Sequence, residues 1–278
     1  MRNRYTWRTF SRELIVLLIA AVFCLPLYLL LVVALKPSNQ LFTQPLQIPV
    51  PPRFGNFADA WAGSGDGSLG TAVISSIVIT VISVALLIVF GSLCAYVLAR
   101  RPGRLSNTLY ILFLLGIIIP FQLSVIPLYV GLRALGLVGN YAGMIVLWVG
   151  VMMPLAVFLY TGFVRQLPRD YEEAARMDGA GTLRTFLRVV FPLLRPVTGT
   201  VAILTGMFIW NDFFASLIFL GGTDYETLPV AIYSFVGEYV TQWNLVFAAV
   251  VIALAPLVAF FIVAQRQMIR GFAGGIRG

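Results

Sequence analysis

The side chains that could do chemistry in this sequence are few, and most of them lie in residues 165–195. This stretch holds four acidic residues, six arginines and two glycines between long apolar runs. Histidine is absent from all 278 residues, which excludes histidine-based triads, zinc sites and proton relays. Cys24 and Cys94 both stand inside apolar runs, a context typical of small buried side chains. The sequence therefore predicts no catalytic residue and no metal site, and the cysteines give no argument for a disulfide.

The chain also lacks the residues that hold a nucleotide phosphate. Its single lysine, Lys36, is followed by Pro37, whereas the Walker phosphate loop requires Gly-Lys followed by Ser or Thr. Whatever energy this protein uses, the sequence excludes ATP binding through a Walker motif of its own.

The composition predicts that lipid surrounds most of the chain. Hydrophobic residues make up 60% of it and charged residues 11%, against about 45–50% and about 25% in soluble domains. The first apolar run has 22 residues, enough to cross a hydrocarbon core of about 30 Å and too long for a signal peptide. The sequence predicts an all-α membrane protein with six transmembrane helices, at about 14–35, 69–99, 108–132, 141–164, 196–220 and 244–264. They form one transmembrane domain, 14–265, between an N-terminal segment, 1–13, and a tail, 266–278.

The positive charges indicate how this domain is oriented. Sixteen of the nineteen Lys and Arg residues fall in segments that six spans would place on one side. Because such residues concentrate in cytoplasmic loops, we predict that both termini are cytoplasmic, together with residues 165–195 between spans four and five. The net charge of +8 is then a topology signal, and we predict no nucleic-acid partner.

Residues 165–195 have the pattern of two short helices around a turn. Pro168 can open the first helix, since proline is favoured at the start of a helix. Three acidic residues follow it, and acidic residues are favoured near a helix N-terminus. The stretch Asp178–Gly181 predicts a turn, and Thr182 can cap the second helix. That helix carries an apolar stripe at i, i+3, i+4 and i+7, formed by Leu183, Phe186, Leu187 and Val190.

Two kinds of partner could meet this helix pair. An interfacial pair lying on the bilayer would carry mostly basic polar residues. The clustered acids here, with the small side chains of Ala174 and Ala175 that allow close approach, favour a protein partner instead.

Residues 165–195 resemble the EAA loop of the membrane-spanning subunits of binding-protein-dependent ABC importers. The family pattern has Glu-Ala-Ala, a Gly four residues after the second Ala and a later hydrophobic-Pro pair, and its sugar-type form adds residues around these. The matching residues are Glu173, Ala174, Ala175, Asp178, Gly179, Ala180, Phe186, Phe191, Pro192, Leu193 and Pro196. The six-span layout, the Lys36-Pro37 pair and the glycine-rich tail also match, although Arg277 stands where the family often has Lys. The chain resembles the smaller permease of a maltose-type sugar importer.

The resemblance implies a complex of several chains assembled at the cytoplasmic (inner) membrane, in which this chain is one membrane-spanning subunit. The expected partners are a second permease subunit, two ATPase subunits or domains that bind ATP and Mg, and an extracytoplasmic substrate-binding protein; this chain would hold no cofactor. The loop would insert into the ATPase as a coupling helix, with Glu173 as polar anchor and Gly179 at the turn. The implied ATPase-coupling residues are Glu172, Glu173, Ala174, Ala175, Asp178, Gly179, Phe186 and Pro192.

The fifth predicted span contains a second polar group, Trp210-Asn211-Asp212. An acid inside a span is costly and is a functional candidate by default. Two interpretations stay open: hydrogen bonding between helices with a tryptophan at the outer interface, or the lining of a transport pathway. Trp210, Asn211 and Asp212 are therefore the pathway candidates.

Other functions fit the sequence less well. A stand-alone secondary transporter usually needs ionisable residues deep in the spans to couple an ion gradient, and Asp212 is the single acid predicted there. An intramembrane enzyme would need a nucleophile with a base, and no such pair is present. The sequence predicts a permease subunit of an ATP-driven importer for a sugar or oligosaccharide, with a non-sugar solute as the alternative.

Overall fold

The computed structural model describes residues 7–41, 43, 46–63, 68–101, 103–236 and 242–274, and every regular segment in this part of the chain is helical. In chain order the α-helices are α1 (Trp7–Ala34), α2 (Gly55–Ala62), α3 (Leu69–Arg100), α4 (Arg104–Ile118), α5 (Phe121–Ala134), α6 (Tyr141–Gln166), α7 (Asp170–Met177), α8 (Thr182–Thr185), α9 (Phe191–Leu193), α10 (Arg195–Trp210), α11 (Phe214–Leu220), α12 (Leu228–Tyr233) and α13 (Trp243–Gly274), and a 3-10 helix, Ser38–Gln40, follows α1. A π-helix, Phe186–Val190, joins α8 to α9. The predicted all-α architecture is confirmed.

Three helices in the described residues are long and apolar enough to cross a membrane, namely α1 from Thr9 onwards, α3 and α6. They match the first, second and fourth predicted spans. The count rises to five if each of two bent helix pairs is one span, and the apolar part of α13, Trp243–Ala259, is shorter. The count of six spans, and the place of residues 165–195 between the fourth and fifth, therefore stay predictions.

The predicted third span, 108–132, is divided into two helices. α4 and α5 meet at an angle of 106° across Ile119 and Pro120. Ile119 is extended, with ψ of 119°, as expected for a residue before proline, and Pro120 has no N–H to continue the helix. Pro120 lies at this break, whereas Pro26, Pro127, Pro154 and Pro256 lie inside helices.

The predicted fifth span, 196–220, is also interrupted. α10 ends at Trp210 and α11 follows after a short break. The Asn211 side chain donates from Nδ2 to the carbonyl oxygen of Met207 at 2.7 Å, and the Asp212 carboxylate accepts hydrogen bonds from α11. Such bonds between side chains and the local backbone compete with the helical ladder, and this competition explains the break.

The chain divides into two compact units, Met1–Gly70 with Ala231–Leu257, and Thr71–Val230 with Val258–Gly278. In the first unit the buried Asn56 of α2 joins the end of α1 to the start of α13. Its Nδ2 donates to the carbonyl oxygens of Ala34 and Lys36, each at 2.8 Å, and its Oδ1 accepts from Asn244 Nδ2 at 3.2 Å. Both polar ends of this buried side chain are thus satisfied, which fixes the three segments together.

The second unit contains the hydrophobic core that positions residues 165–195. The core is built around α6, whose Trp148 and Tyr160 are fully buried, and the Tyr160 hydroxyl donates to Thr198 Oγ1 of α10 at 3.0 Å. Phe186 and Val190 of the π-helix belong to the same cluster of buried side chains. One side of the 165–195 stretch is therefore part of the core.

Candidate functional site

The first helix of the 165–195 loop begins with charges that suit a helix N-terminus. α7 has three acidic residues in its first turn and Arg176 in its last turn, and both signs match the helix dipole. The N–H groups of Glu172 and Glu173 donate to the carbonyl oxygen of Arg169 at 2.9 and 3.0 Å. Charge and backbone bonding together fix where α7 starts.

The turn after α7 depends on a glycine with positive φ. Gly179 has φ of 78°, its N–H donates to the carbonyl oxygen of Arg176 at 2.9 Å, and the N–H of Ala180 donates to that of Ala175 at 2.9 Å. These two bonds after the C-cap residue, Asp178, form a Schellman motif, which requires the left-handed conformation that glycine adopts without strain. The predicted turn therefore has a specific backbone cause.

The second helix of the loop starts at Thr182, one residue earlier than predicted. Thr182 is its first residue rather than its cap, and Gly181 occupies the capping position with φ of −69° and no side-chain cap bond. The N–H of Thr185 donates to the carbonyl oxygen of Gly181 at 2.9 Å, so backbone bonding alone closes the first turn.

The predicted apolar stripe on this second helix is divided between the core and the surface. Phe186 and Val190 are 3% and 1% exposed, whereas Leu183 and Leu187 are 64% and 54% exposed. The first pair packs into the hydrophobic core, with the Phe186 ring 5.1 Å from that of Tyr96. The second pair is left without a partner in this chain's core.

A buried ion pair holds α7 against the end of α3. Arg100 Nε donates to Glu172 Oε1 at 2.6 Å, and the Arg100 and Glu172 side chains are only 11% and 5% exposed. The other carboxylate oxygen of Glu172, Oε2, accepts a hydrogen bond from the Tyr96 hydroxyl at 2.9 Å, and Arg100 Nη2 donates to the carbonyl oxygen of Leu167 at 2.9 Å. Such a pair is destabilising to break, because removing one partner leaves a buried charge uncompensated.

The outer surface of the loop carries large apolar side chains. Met177 is 88% exposed and Tyr171 is 52% exposed, in addition to Leu183 and Leu187. These four residues stand in a polar loop and not in an apolar run, and exposed apolar groups in such a setting mark a surface for interaction. We call Tyr171, Met177, Leu183 and Leu187 the exposed apolar residues of the loop.

The structure places the predicted coupling residues in different environments. Glu173, Ala174, Asp178 and Gly179 are exposed, Ala175 and Pro192 are half-buried, and Glu172 and Phe186 are buried. The two adjacent glutamates therefore face different surroundings, Glu173 the surface and Glu172 the protein interior. The role of each residue towards an ATPase stays a prediction.

Two functional candidates were missed by the sequence reasoning. Arg100 is one of the charges that indicate the topology, and Tyr96 lies inside the second predicted span. Their spacing of four residues places both on one side of α3, which is a signal the sequence does carry. The sequence does not identify Glu172 as the partner of both residues, because the contact between Arg100 and Glu172 links residues 72 positions apart.

The pathway candidates show a local role for the acid in the fifth predicted span. Asp212 accepts hydrogen bonds from the N–H groups of Ala215 and Ser216 at 3.2 and 2.9 Å and from Ser216 Oγ at 3.0 Å. It therefore caps the first turn of α11, as an aspartate before a helix commonly does. Trp210 is buried and Asn211 is exposed, and whether the three residues line a pathway stays a prediction.

Comparison with known proteins gives a family and several close relatives. The family described as "Binding-protein-dependent transport system inner membrane component" matches residues 87–273. The melibiose/raffinose/stachyose import permease protein MelC of Bacillus subtilis is 40% identical, over 96% of this chain and 97% of that protein. The probable starch degradation products transport system permease protein AmyC of Thermoanaerobacterium thermosulfurigenes is 33% identical, over 90% of both chains.

A solved structure has a similar fold. It is a bacterial ABC transporter involved in the import of the acidic polysaccharide alginate, and it aligns with a TM-score of 0.77 over 94% of this chain and 98% of that chain. The sequence identity is 21%, so this likeness concerns the fold alone.

Proposed function

Because the chain belongs to the family of binding-protein-dependent transport system inner membrane components, we propose that it is the permease subunit of an ATP-driven importer for an oligosaccharide. The 165–195 loop is its coupling loop, which docks on a separate ATPase. One observation carries this proposal. Glu173 and the exposed apolar residues of the loop lie on its surface, whereas the other side of the loop is packed into the core. Such a surface is anchored on one side and open to a partner on the other.

The energy source follows from the residues that the chain lacks. With a single lysine followed by proline, no Walker phosphate loop can form. ATP and Mg are therefore bound by the partner ATPase, as two subunits or two domains. The remaining partners are a second permease subunit and an extracytoplasmic substrate-binding protein, and both termini of this inner-membrane chain lie in the cytoplasm with the loop.

The substrate class rests on the relatives. MelC is named for melibiose, raffinose and stachyose, and AmyC for starch degradation products. MsmG of Streptococcus mutans, 31% identical over 90% of both chains, is named for multiple sugars. Relatives that cover nearly the whole chain and are named for carbohydrates support an oligosaccharide as the substrate.

A gradient-driven transporter is disfavoured by the position of Asp212. A coupling ion needs an ionisable side chain free to take part in binding. Both carboxylate oxygens of Asp212 already accept hydrogen bonds within α11. The acid that the rival function would require is therefore engaged in holding a helix end.

Charge reversal at Glu173 tests the coupling loop. We expect Glu173→Lys to weaken binding of the ATPase by about 100-fold or more, since reversing one charge at a docking contact typically costs several kcal/mol. The measurement is titration of the purified ATPase onto the permease complex in detergent, with the amount of folded permease checked separately. Glu173 is exposed, so the variant should fold normally.

A matched control separates docking from net charge. Asp224→Lys makes the same change at an exposed residue of the loop that we predict on the other face of the membrane. It should leave ATPase binding unchanged. Equal binding by the Glu173→Lys variant and the unaltered chain would contradict the assignment of the 165–195 loop as the docking site.

A further inference from the structure

The ion pair between Arg100 and Glu172 connects two elements that the proposed function needs to move together. Glu172 belongs to α7, the first helix of the coupling loop, and Arg100 is the last residue of α3. The pair is short, at 2.6 Å between Nε and Oε1. Charge-assisted hydrogen bonds of this kind are about twice as strong as neutral ones and are directional, so the pair restrains the orientation of α7 on α3.

Tyr96 extends the same contact to the second helix of the loop. Its hydroxyl donates to Glu172 Oε2 at 2.9 Å, while its ring lies 5.1 Å from the ring of Phe186. Arg100 also binds the carbonyl oxygen of Leu167, in the segment that leads into α7. The end of α3 is therefore hydrogen-bonded to the entry segment of the loop and to its first helix, and it packs against the second helical part.

α3 is suited to carry a displacement away from the loop. It runs for 32 residues without a proline, a length of about 48 Å at 1.5 Å per residue, whereas α5 and α6 contain prolines. Near its other end Ser76 Oγ accepts a hydrogen bond from the N–H of Leu228 at 2.8 Å. Ser75 Oγ lies 3.0 Å from the Tyr141 hydroxyl, so this end is bonded to two further elements.

We propose that Glu172 is a positioning residue which, with Arg100 and Tyr96, latches the coupling loop to α3, so that movement of the docked loop is transmitted along α3 to the segment at Leu228. This inference rests on the proposed function. It gives the adjacent glutamates separate tasks: Glu173 faces the ATPase, whereas Glu172 faces inward and transmits the movement. Loss of the latch should therefore uncouple ATP hydrolysis from transport without preventing docking.

The first experiment measures coupling in the assembled importer. For Glu172→Gln we expect uptake per ATP hydrolysed to fall about tenfold, within the usual range of coupling between sites, while ATPase binding stays within twofold of the unaltered complex. The double variant Glu172→Gln with Arg100→Gln also lacks the ion pair and should stay uncoupled, although it leaves no unpaired buried charge. Asp170→Asn, at an exposed acid of the same helix, is the matched control and should leave the ratio unchanged.

The second experiment tests the latch without any transport. Spin labels at Met177 and Val81, exposed positions of α7 and α3, are attached to the full chain in which Cys24 and Cys94 have been replaced. The distance distribution between the labels should be narrow in the parent and in Asp170→Asn, and broad in Glu172→Gln. A narrow distance distribution in Glu172→Gln would overturn the latch. Two outcomes of the first experiment would also overturn it: a ratio of uptake to hydrolysis that is unchanged in Glu172→Gln, or a loss of both uptake and ATPase binding in that variant. If the unaltered complex shows no ATP-driven uptake, the proposed function fails, and the distance measurement alone decides on the latch.

Discussion

Replacing Leu183 and Leu187 together with aspartate is expected to separate the permease from its ATPase. Both side chains are more than half exposed, at 64% and 54%, so the substitutions remove nothing from the core. Burial of each leucine on docking is worth about 1.5–3 kcal/mol, and the two losses together weaken binding by about 100-fold or more. Uptake driven by ATP should fall to background, and titration of the ATPase onto the solubilised permease measures the affinity directly.

A control with the same change in chemistry distinguishes docking from a general effect of added charge. Leu135 is 72% exposed at the end of α5, in a link that we predict on the external side. Leu135→Asp should bind the ATPase as tightly as the unaltered chain does. If the double variant at Leu183 and Leu187 also retained full affinity, the exposed apolar residues of the loop would not be the docking surface.

Gly143→Ala is expected to destabilise the second unit. A Cβ at this position would collide with the backbone carbonyl of Leu137. Leu137 cannot move away easily, because its N–H donates to the carbonyl oxygen of Leu132 at 2.9 Å, and the N–H of Gly143 itself donates to Asn140 Oδ1 at 3.0 Å. Overpacking of this kind costs about 1–3 kcal/mol and sometimes more. The yield of folded chain and its thermal unfolding temperature should both fall.

Gly150, on the same helix, provides the comparison for this substitution. Nothing lies within 4 Å of the place where its Cβ would stand, and alanine favours helix over glycine by about 1 kcal/mol. Gly150→Ala should therefore match or exceed the parent in thermal stability. An unfolding temperature for Gly143→Ala equal to that of Gly150→Ala would show that the backbone around Leu137 yields without cost.

The parts of the fold that the sequence could predict are those set by local pattern. The apolar runs at 14–35, 69–99 and 141–164 became α1, α3 and α6, because a run of this length needs lipid whatever its neighbours are. The turn at Gly179 was predictable for the same reason, since a positive φ is a local demand. Prolines inside apolar runs are places where a helix can bend, but the sequence alone does not show which of them divides a helix.

The remaining features depend on contacts between distant residues. Adjacent positions on a helix point about 100° apart, so either Glu172 or Glu173 could have faced the protein interior, and the choice depends on Arg100 in α3. The stripe on the second helix of the loop was visible, but its division into buried Phe186 and exposed Leu183 follows from where the core lies. Asp212 was recognised as unusual, yet the break that lets it cap α11 was not.

The most direct measurement of the central claim is uptake, by proteoliposomes, of a radiolabelled oligosaccharide that the substrate-binding protein binds. The vesicles contain this chain with its co-expressed permease partner and ATPase, Mg·ATP is trapped inside, and the substrate-binding protein is supplied outside. We predict accumulation that requires hydrolysable ATP and all partners, and no accumulation by this chain alone under a proton or sodium gradient. Accumulation of the oligosaccharide by this chain alone, driven by an ion gradient in the absence of ATP, would contradict the account.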